Sequence, residues 1–148
     1  MLAAYRLACE PRFVCCYCWD TLVGLGHILV IDDYFSDRLL FRRILSGMGH
    51  EVAEANNGEE GLEQAKAKAI DLVLLDFKMP GMNGIETLRQ LKSANPLIPV
   101  VLVTASHEAD SAIEAMRLGA FEYLTKPVEV VHLQQVVSSA AYERAGGY

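Results

Sequence analysis

The chain has 148 residues, a length typical of one domain, and 52% of them are apolar, which is enough for a sizeable core. Asp and Glu number 19 against 13 Lys and Arg, so the net charge is −6, and an acidic surface disfavours a general role in coating nucleic acid or anionic lipid. No apolar run is long enough to predict a membrane-spanning helix, so we expect a soluble globular domain.

Residues 1–26 differ in composition from the rest of the chain. They hold all four of its cysteines: Cys9, Cys15, Cys16 and Cys18. The Cys-x-x-Cys pair among them would suit zinc or redox chemistry, but zinc usually takes two separated pairs and a redox motif is followed by a helix. Charged residues interrupt the apolar residues of this segment, which argues against a secretory signal. We predict an N-terminal extension, poorly ordered or outside the domain, and translation from a later start, near Val23 or Leu25, is the alternative.

From residue 27 onward, short apolar segments alternate with helix-like ones. Five strands are predicted at 28–31, 51–55, 72–75, 100–103 and 121–124. The first, third and fourth are continuous apolar runs, as expected for strands covered on both faces, whereas the second alternates and is placed nearer an edge.

Five helices are predicted to follow the strands. Ser36 or Asp37 is the expected N-cap of the first, which ends before Gly49, and the second is expected over 58–68 with Asn56 or Asn57 as its cap. The third is opened by Asn83 and closed before Pro96, the fourth spans 109–118, and the fifth spans 128–142. In the first and last helices, the positions expected to face the core are Leu40, Phe41, Ile44, Leu45, Met48, Val130, Leu133, Val136, Val137 and Ala140.

This order predicts an α/β fold with a parallel sheet and helices on both faces. Right-handed crossovers leave few topologies, and sites in such sheets lie outside the carboxyl ends of the strands. That rule selects the residues that follow each strand as candidates for function.

Five polar side chains stand at those strand ends: Asp32, Asp33, Asp76, Thr104 and Lys126. Each alone would be an ordinary cap, turn or solvated residue. Together, three carboxylates call for a hard cation such as Mg²⁺, and a lysine with a hydroxyl beside it suits phosphoryl transfer. One carboxylate can itself be the nucleophile, although the residues alone leave open which one reacts.

Four segments resemble the receiver domain of bacterial two-component response regulators. They read HILVIDD at 27–33, DLVLLDFKMPGMNG at 71–84, VVLVTA at 100–105 and GAFEYLTKP at 119–127. Each is weak alone, but the combination is specific and makes 27–148 the receiver-like unit. The resemblance implies a flavodoxin-like (βα)5 fold, a doubly wound parallel sheet of strand order 2-1-3-4-5.

The resemblance also implies roles for the acidic residues. Asp76 would accept a phosphoryl group from a phosphohistidine on a sensor histidine kinase or a phosphotransfer protein. Asp33, Asp76 and the backbone carbonyl of Lys78 would ligate Mg²⁺ directly, and Asp32 would hold it through water. Lys78 and Ser106 would flank the path of the hydrolytic water and set the lifetime of the phosphoryl group.

Three further residues would carry the switch in such a domain. Lys126 would pair with the phosphoryl oxygens, and the Lys126–Pro127 bond would be cis. Thr104 would move to donate its hydroxyl to the phosphoryl group, and Tyr123 would turn inward with it. The alternative is that Tyr123 is an ordinary, half-buried aromatic residue of the strand.

The implied output surface is made by the fourth helix, fifth strand and fifth helix, over about 109–142, and is called the α4-β5-α5 face. The resemblance predicts a downstream protein partner there, with no direct nucleic-acid or membrane contact, a phosphorylation-dependent homodimer as a further option, and a cytoplasmic location. Whether the chain acts alone or belongs to a longer regulator with an output domain stays open. The side chains expected to be exposed on this face are Glu114, Arg117, Glu122, His132, Gln134 and Gln135.

Two other functions would also use an acidic site on such a sheet. A Mg²⁺-dependent phosphohydrolase with an Asp nucleophile generally wants a second Asp two residues later, where this chain has Lys78. A flavin carrier wants a Ser/Thr/Gly-rich loop after the first strand, where Asp32 and Asp33 would repel the flavin phosphate. We therefore predict a regulatory domain rather than an enzyme.

Overall fold

Five parallel strands form one sheet, in the order β2-β1-β3-β4-β5. The computed structural model describes residues 26–105 and 109–144. The strands are β1 (His27–Ile31), β2 (Glu51–Ala55), β3 (Leu72–Asp76), β4 (Val100–Thr104) and β5 (Glu122–Thr125). This order confirms the predicted fold class, and the alternating strand β2 lies at an edge as expected. The predictions for the four cysteines and for Ser106 fall outside the described residues, and the proposed domain limits stay predictions.

Five helices cover the two faces of this sheet. They are α1 (Phe35–Gly47), α2 (Gly58–Ala67), α3 (Gly84–Ala94), α4 (Ala109–Arg117) and α5 (Val130–Arg144). Alternate residues of the central strands pack into two separate cores, one with Phe41 of α1 and Leu133 of α5, the other with Leu62, Leu88 and Ala115 of α2, α3 and α4. Because both faces are covered, the central strands are apolar except at single end positions, which are His27, Asp76 and Thr104.

Asparagine caps begin two of the helices where they were predicted. The side-chain oxygens of Asn57 and Asn83 accept hydrogen bonds from Glu60 N and Glu86 N at 2.8 and 2.9 Å. The predicted cap of α1 is wrong, because the N-cap position is Tyr34 and no side chain caps that helix. Ser36 and Asp37 instead lie inside its first turn.

Two of the predicted inward-facing positions are also wrong. Leu40 of α1 is 50% exposed and Val130 of α5 is 47% exposed, whereas Phe41, Leu45 and the later positions of α5 are buried. Val130 is the first residue of α5. Among the described residues, no helix combines the length and the apolar character needed to cross a bilayer.

Candidate functional site

The strand register brings the predicted polar residues to one edge of the sheet, here called the carboxyl edge. Ile31 of β1 is paired with Leu75 of β3, so the next residues, Asp32 and Asp76, emerge side by side. Farther along the edge, Thr104 ends β4 and is paired with Thr125, which precedes Lys126. The structure therefore gathers residues that lie far apart in the sequence into one site.

Three carboxylates form the centre of this site. One carboxylate oxygen from each of Asp32, Asp33 and Asp76 lies within 4.8 Å of the others. Asp32 and Asp76 are almost fully buried, and Oδ1 of Asp33 is buried with no hydrogen-bond partner in the described part of the chain. Two such charges about 4 Å apart repel by about 4 kcal/mol at an effective dielectric near 20. A buried oxygen without a partner, in a cluster of hard oxygen ligands, fits a divalent cation such as Mg²⁺.

The ammonium group of Lys126 lies against these acids. Its Nζ donates to Asp32 Oδ2 at 2.9 Å and to Asp37 Oδ2 at 2.8 Å, and it lies 3.7 Å from Asp76 Oδ1. The Tyr34 ring stands beside it, with its centroid 6.0 Å from Nζ. One lysine thus faces several carboxylates, and the site keeps an excess of negative charge.

Burial and like charge shift the pKa values of these groups. Burial, followed by the charge of Asp32, raises the pKa of Asp76 to about 7, although Lys126 opposes the shift. Burial also raises the pKa of Asp32 above its ordinary value against the hydrogen bonds from Lys126 and Tyr34 N. Burial alone would lower the pKa of Lys126, but the hydrogen bonds to Asp37 and Asp32 raise it well above the ordinary value. The lysine therefore stays charged, whereas Asp76 is poorly compensated.

The loop after Asp76 is held close to the cluster. Phe77 N donates to Val103 O at 3.1 Å, and Phe77 O accepts from Gly84 N at 2.9 Å. A Cβ on Gly84 would lie 2.7 Å from the backbone oxygen of Asp76, so only glycine allows α3 to begin this close to the strand end. Lys78 lies in this loop and is exposed.

Thr104 and Tyr123 lie on the side of the cluster toward β5. Thr104 is fully buried at the end of β4, and its backbone oxygen accepts from Lys126 N at 2.6 Å. Tyr123 is half-buried and packs against the core that contains α2, α3 and α4. The Lys126–Pro127 bond is cis, as expected. The switching roles of Thr104 and Tyr123 stay predictions.

Asp37 is the site residue that sequence reasoning missed. It was expected only as a cap of α1, yet it makes the shorter of the two hydrogen bonds to Lys126. Its position in the first turn after β1 was the available signal, because the start of α1 must lie near the carboxyl edge. Lys126, the partner of Asp37 in this contact, is 89 residues away in the sequence.

Known proteins resemble this chain over most of its described residues. The family described as "Response regulator receiver domain" matches residues 28–138. The transcriptional regulatory protein ZraR of Klebsiella oxytoca is 46% identical over 113 residues, which are 76% of this chain and 26% of that protein. The chain thus spans about a quarter of the length of this relative.

Two solved receiver domains have the same fold. A CheY-like receiver domain protein from Methanospirillum hungatei has a TM-score of 0.80 and 28% identity, and the match covers 83% of this chain and 98% of that one. A receiver domain protein from Clostridium thermocellum has a TM-score of 0.77 and 36% identity, with coverage of 81% and 97%.

Proposed function

The chain belongs to the response regulator receiver domain family, whose members are phosphorylation-dependent signalling switches, and on that premise we propose that Asp76 is its phosphoryl acceptor. The different surroundings of the two most buried carboxylates carry this proposal. Both oxygens of Asp32 accept hydrogen bonds, Oδ1 from Tyr34 N at 2.9 Å and Oδ2 from Lys126, and these bonds make them poor nucleophiles. Asp76 lies beside Lys126 at 3.7 Å, close enough for the ammonium group to meet a phosphoryl oxygen placed between them.

In the proposed reaction, an Asp76 oxygen attacks the phosphorus of a phosphohistidine. The new O–P bond forms as the P–N bond breaks, and the imidazole nitrogen of the donor keeps the electron pair. Lys126 neutralises the charge that builds up on the phosphoryl oxygens. Asp33, Asp76 and the backbone carbonyl of Lys78 would hold Mg²⁺ directly and Asp32 through water, and the ion would supply further charge neutralisation.

The phosphoryl group adds a charge of about −1.5 to −2 to a site that already carries an excess of negative charge. We propose that Thr104 donates its hydroxyl to this group and that Tyr123 repacks with it, so that a local change in charge shifts a two-state surface. We propose that a protein partner, or a second copy of the chain in a homodimer, binds the α4-β5-α5 face and responds to that change. In the described part of this face, the exposed large apolar side chains are Ile113, Met116, Val130, Val131 and Tyr142.

The domain is regulatory, and we propose that self-phosphorylation and autodephosphorylation are its only chemistry. Lys78 stands where a phosphohydrolase with an Asp nucleophile would place its general acid, so that alternative is not favoured. Family membership supports a histidine kinase or a phosphotransfer protein as the phosphoryl donor and a cytoplasmic location for this chain.

Incubation of the protein with acetyl phosphate and Mg²⁺ tests the proposal. The intact mass is expected to increase by one phosphoryl group, and Asp76→Asn is expected to abolish the adduct. Asp71→Asn, which changes an aspartate at the opposite end of β3, is the matched control and is expected to keep it. Adduct formation on the Asp76→Asn variant would contradict the assignment of the acceptor.

Lys78→Ala is expected to shorten the lifetime of the phosphoryl group. The side chain is exposed two residues after Asp76, and removing it opens the phosphorus to water, which we expect to speed hydrolysis by about threefold. The measurement is the decay of the adduct by intact mass after the acetyl phosphate has been removed. Lys68→Ala, at the exposed end of α2, should decay at the wild-type rate, and equal decay of all three proteins would refute the prediction.

A further inference from the structure

The contact between Asp37 and Lys126 lies outside the roles derived so far. The Lys126 ammonium group has three N–H donors, and two of them are directed to Asp37 Oδ2 at 2.8 Å and Asp32 Oδ2 at 2.9 Å. Asp76 Oδ1 is 3.7 Å from the same nitrogen. In this structure, Lys126 is therefore bound more closely to Asp37 than to the residue we propose as the phosphoryl acceptor.

The three carboxylates around Lys126 differ in their access to water. The side chain of Asp37 is 34% exposed, whereas those of Asp32 and Asp76 are 2% and 5% exposed. A carboxylate that leaves an ammonium group is stabilised again only if water reaches it. Asp37 is thus the partner that Lys126 can release most easily when a phosphoryl group arrives.

We propose that Asp37 is a positioning residue that competes with the phosphoryl group on Asp76 for Lys126. In the unphosphorylated domain it holds the ammonium group toward α1, and this contact lowers the tendency of the domain to become phosphorylated. On phosphorylation, Asp37 releases the ammonium group. The inference rests on Asp76 being the acceptor. Under this proposal, a residue in the first turn of α1 sets how readily Asp76 is phosphorylated.

The first test is the rate of phosphorylation by acetyl phosphate in Mg²⁺. Asp76 attacks the phosphorus, the P–O bond to the acetyl group breaks, and acetate leaves with the electron pair. Asp37→Asn is expected to raise the rate constant by roughly 2- to 5-fold, the size expected for a partly exposed ion pair. Glu86→Gln removes the same charge from the first turn of α3, at the carboxyl edge but without contact to Lys126, and is expected to change the rate much less.

The second test asks whether the effect acts through Lys126. In the Lys126→Gln background, Asp37→Asn is expected to leave the rate unchanged, because the competition has been removed. Amine labelling of Lys126, followed by mass spectrometry on the unphosphorylated protein, is expected to be faster in Asp37→Asn than in the wild type. This readout does not depend on phosphorylation.

Several results would overturn the inference. They are a rate in Asp37→Asn at or below that of the wild type, an equal increase in Glu86→Gln, or an increase that persists without Lys126. Each of them requires a wild-type protein that takes up phosphate on Asp76. If the wild type takes up none, the proposed function itself fails, so the two failures are distinguishable.

Discussion

Asp76→Asn is expected to stabilise the metal-free domain by about 1–3 kcal/mol near pH 8 and to have no such effect near pH 4. The reason is the burial of Asp76 beside Asp32, which raises its pKa to about 7 in the folded protein. An unfolded chain gives this carboxyl an ordinary pKa of 3.8. Asparagine keeps the shape of the side chain and removes the charge that folding must bury.

The sign of the pH dependence follows from the raised pKa. Between the two pKa values the folded protein holds a proton on Asp76 that the unfolded chain has already lost. The free energy of unfolding of the wild type therefore falls as the pH rises through this interval, and the loss is complete above about pH 7. The variant lacks this contribution, so its advantage grows over the same interval.

Urea unfolding of both proteins in EDTA, at several pH values from 4 to 8, measures the difference in the free energy of unfolding. Asp71→Asn is the matched control, because Asp71 accepts a hydrogen bond from His27 N and its loss is expected to give no stabilisation. A gain for Asp76→Asn of equal size at both ends of the pH range would show that charge burial is not its cause.

The apolar pattern of the strands and the polar residues at their ends were enough to predict most of the fold and of the site. The apolar runs of β1, β3 and β4 indicate strands buried on both faces, and that burial fixes a parallel sheet whose carboxyl ends share one edge. The cluster of Asp32, Asp76 and Lys126 then follows from topology alone. The family resemblance added the roles of these residues, which neither periodicity nor spacing contains.

The errors came from contacts that depend on tertiary geometry. Asp37 is a residue type that often caps helices, but α1 begins before it, and its carboxylate accepts a hydrogen bond from the ammonium group of Lys126 instead. Leu40 fits the apolar stripe of α1, yet it is 50% exposed. Such outcomes depend on where a distant segment lies, which local pattern does not record.

Asp33→Asn is expected to weaken Mg²⁺ binding by about 100-fold, because it replaces a charged ligand by a neutral one. Asp33 Oδ1 is buried without a hydrogen-bond partner in the described residues, an arrangement that a cation would satisfy. The same change removes one of three clustered negative charges, so the metal-free variant should be no less stable than the wild type.

The increase in melting temperature with Mg²⁺ concentration measures this loss, since a ligand that binds only the folded state stabilises it according to its occupancy. The wild type and Asp110→Asn, which removes an exposed charge from α4, are expected to respond at the same Mg²⁺ concentration. Asp33→Asn should need about 100 times more Mg²⁺ for the same increase. An unchanged response would show that Asp33 is no ligand, and a metal-free variant that melts below the wild type would show that its carboxylate serves the fold instead. The two readouts together therefore separate metal binding from structural support at a residue for which the sequence alone allows both.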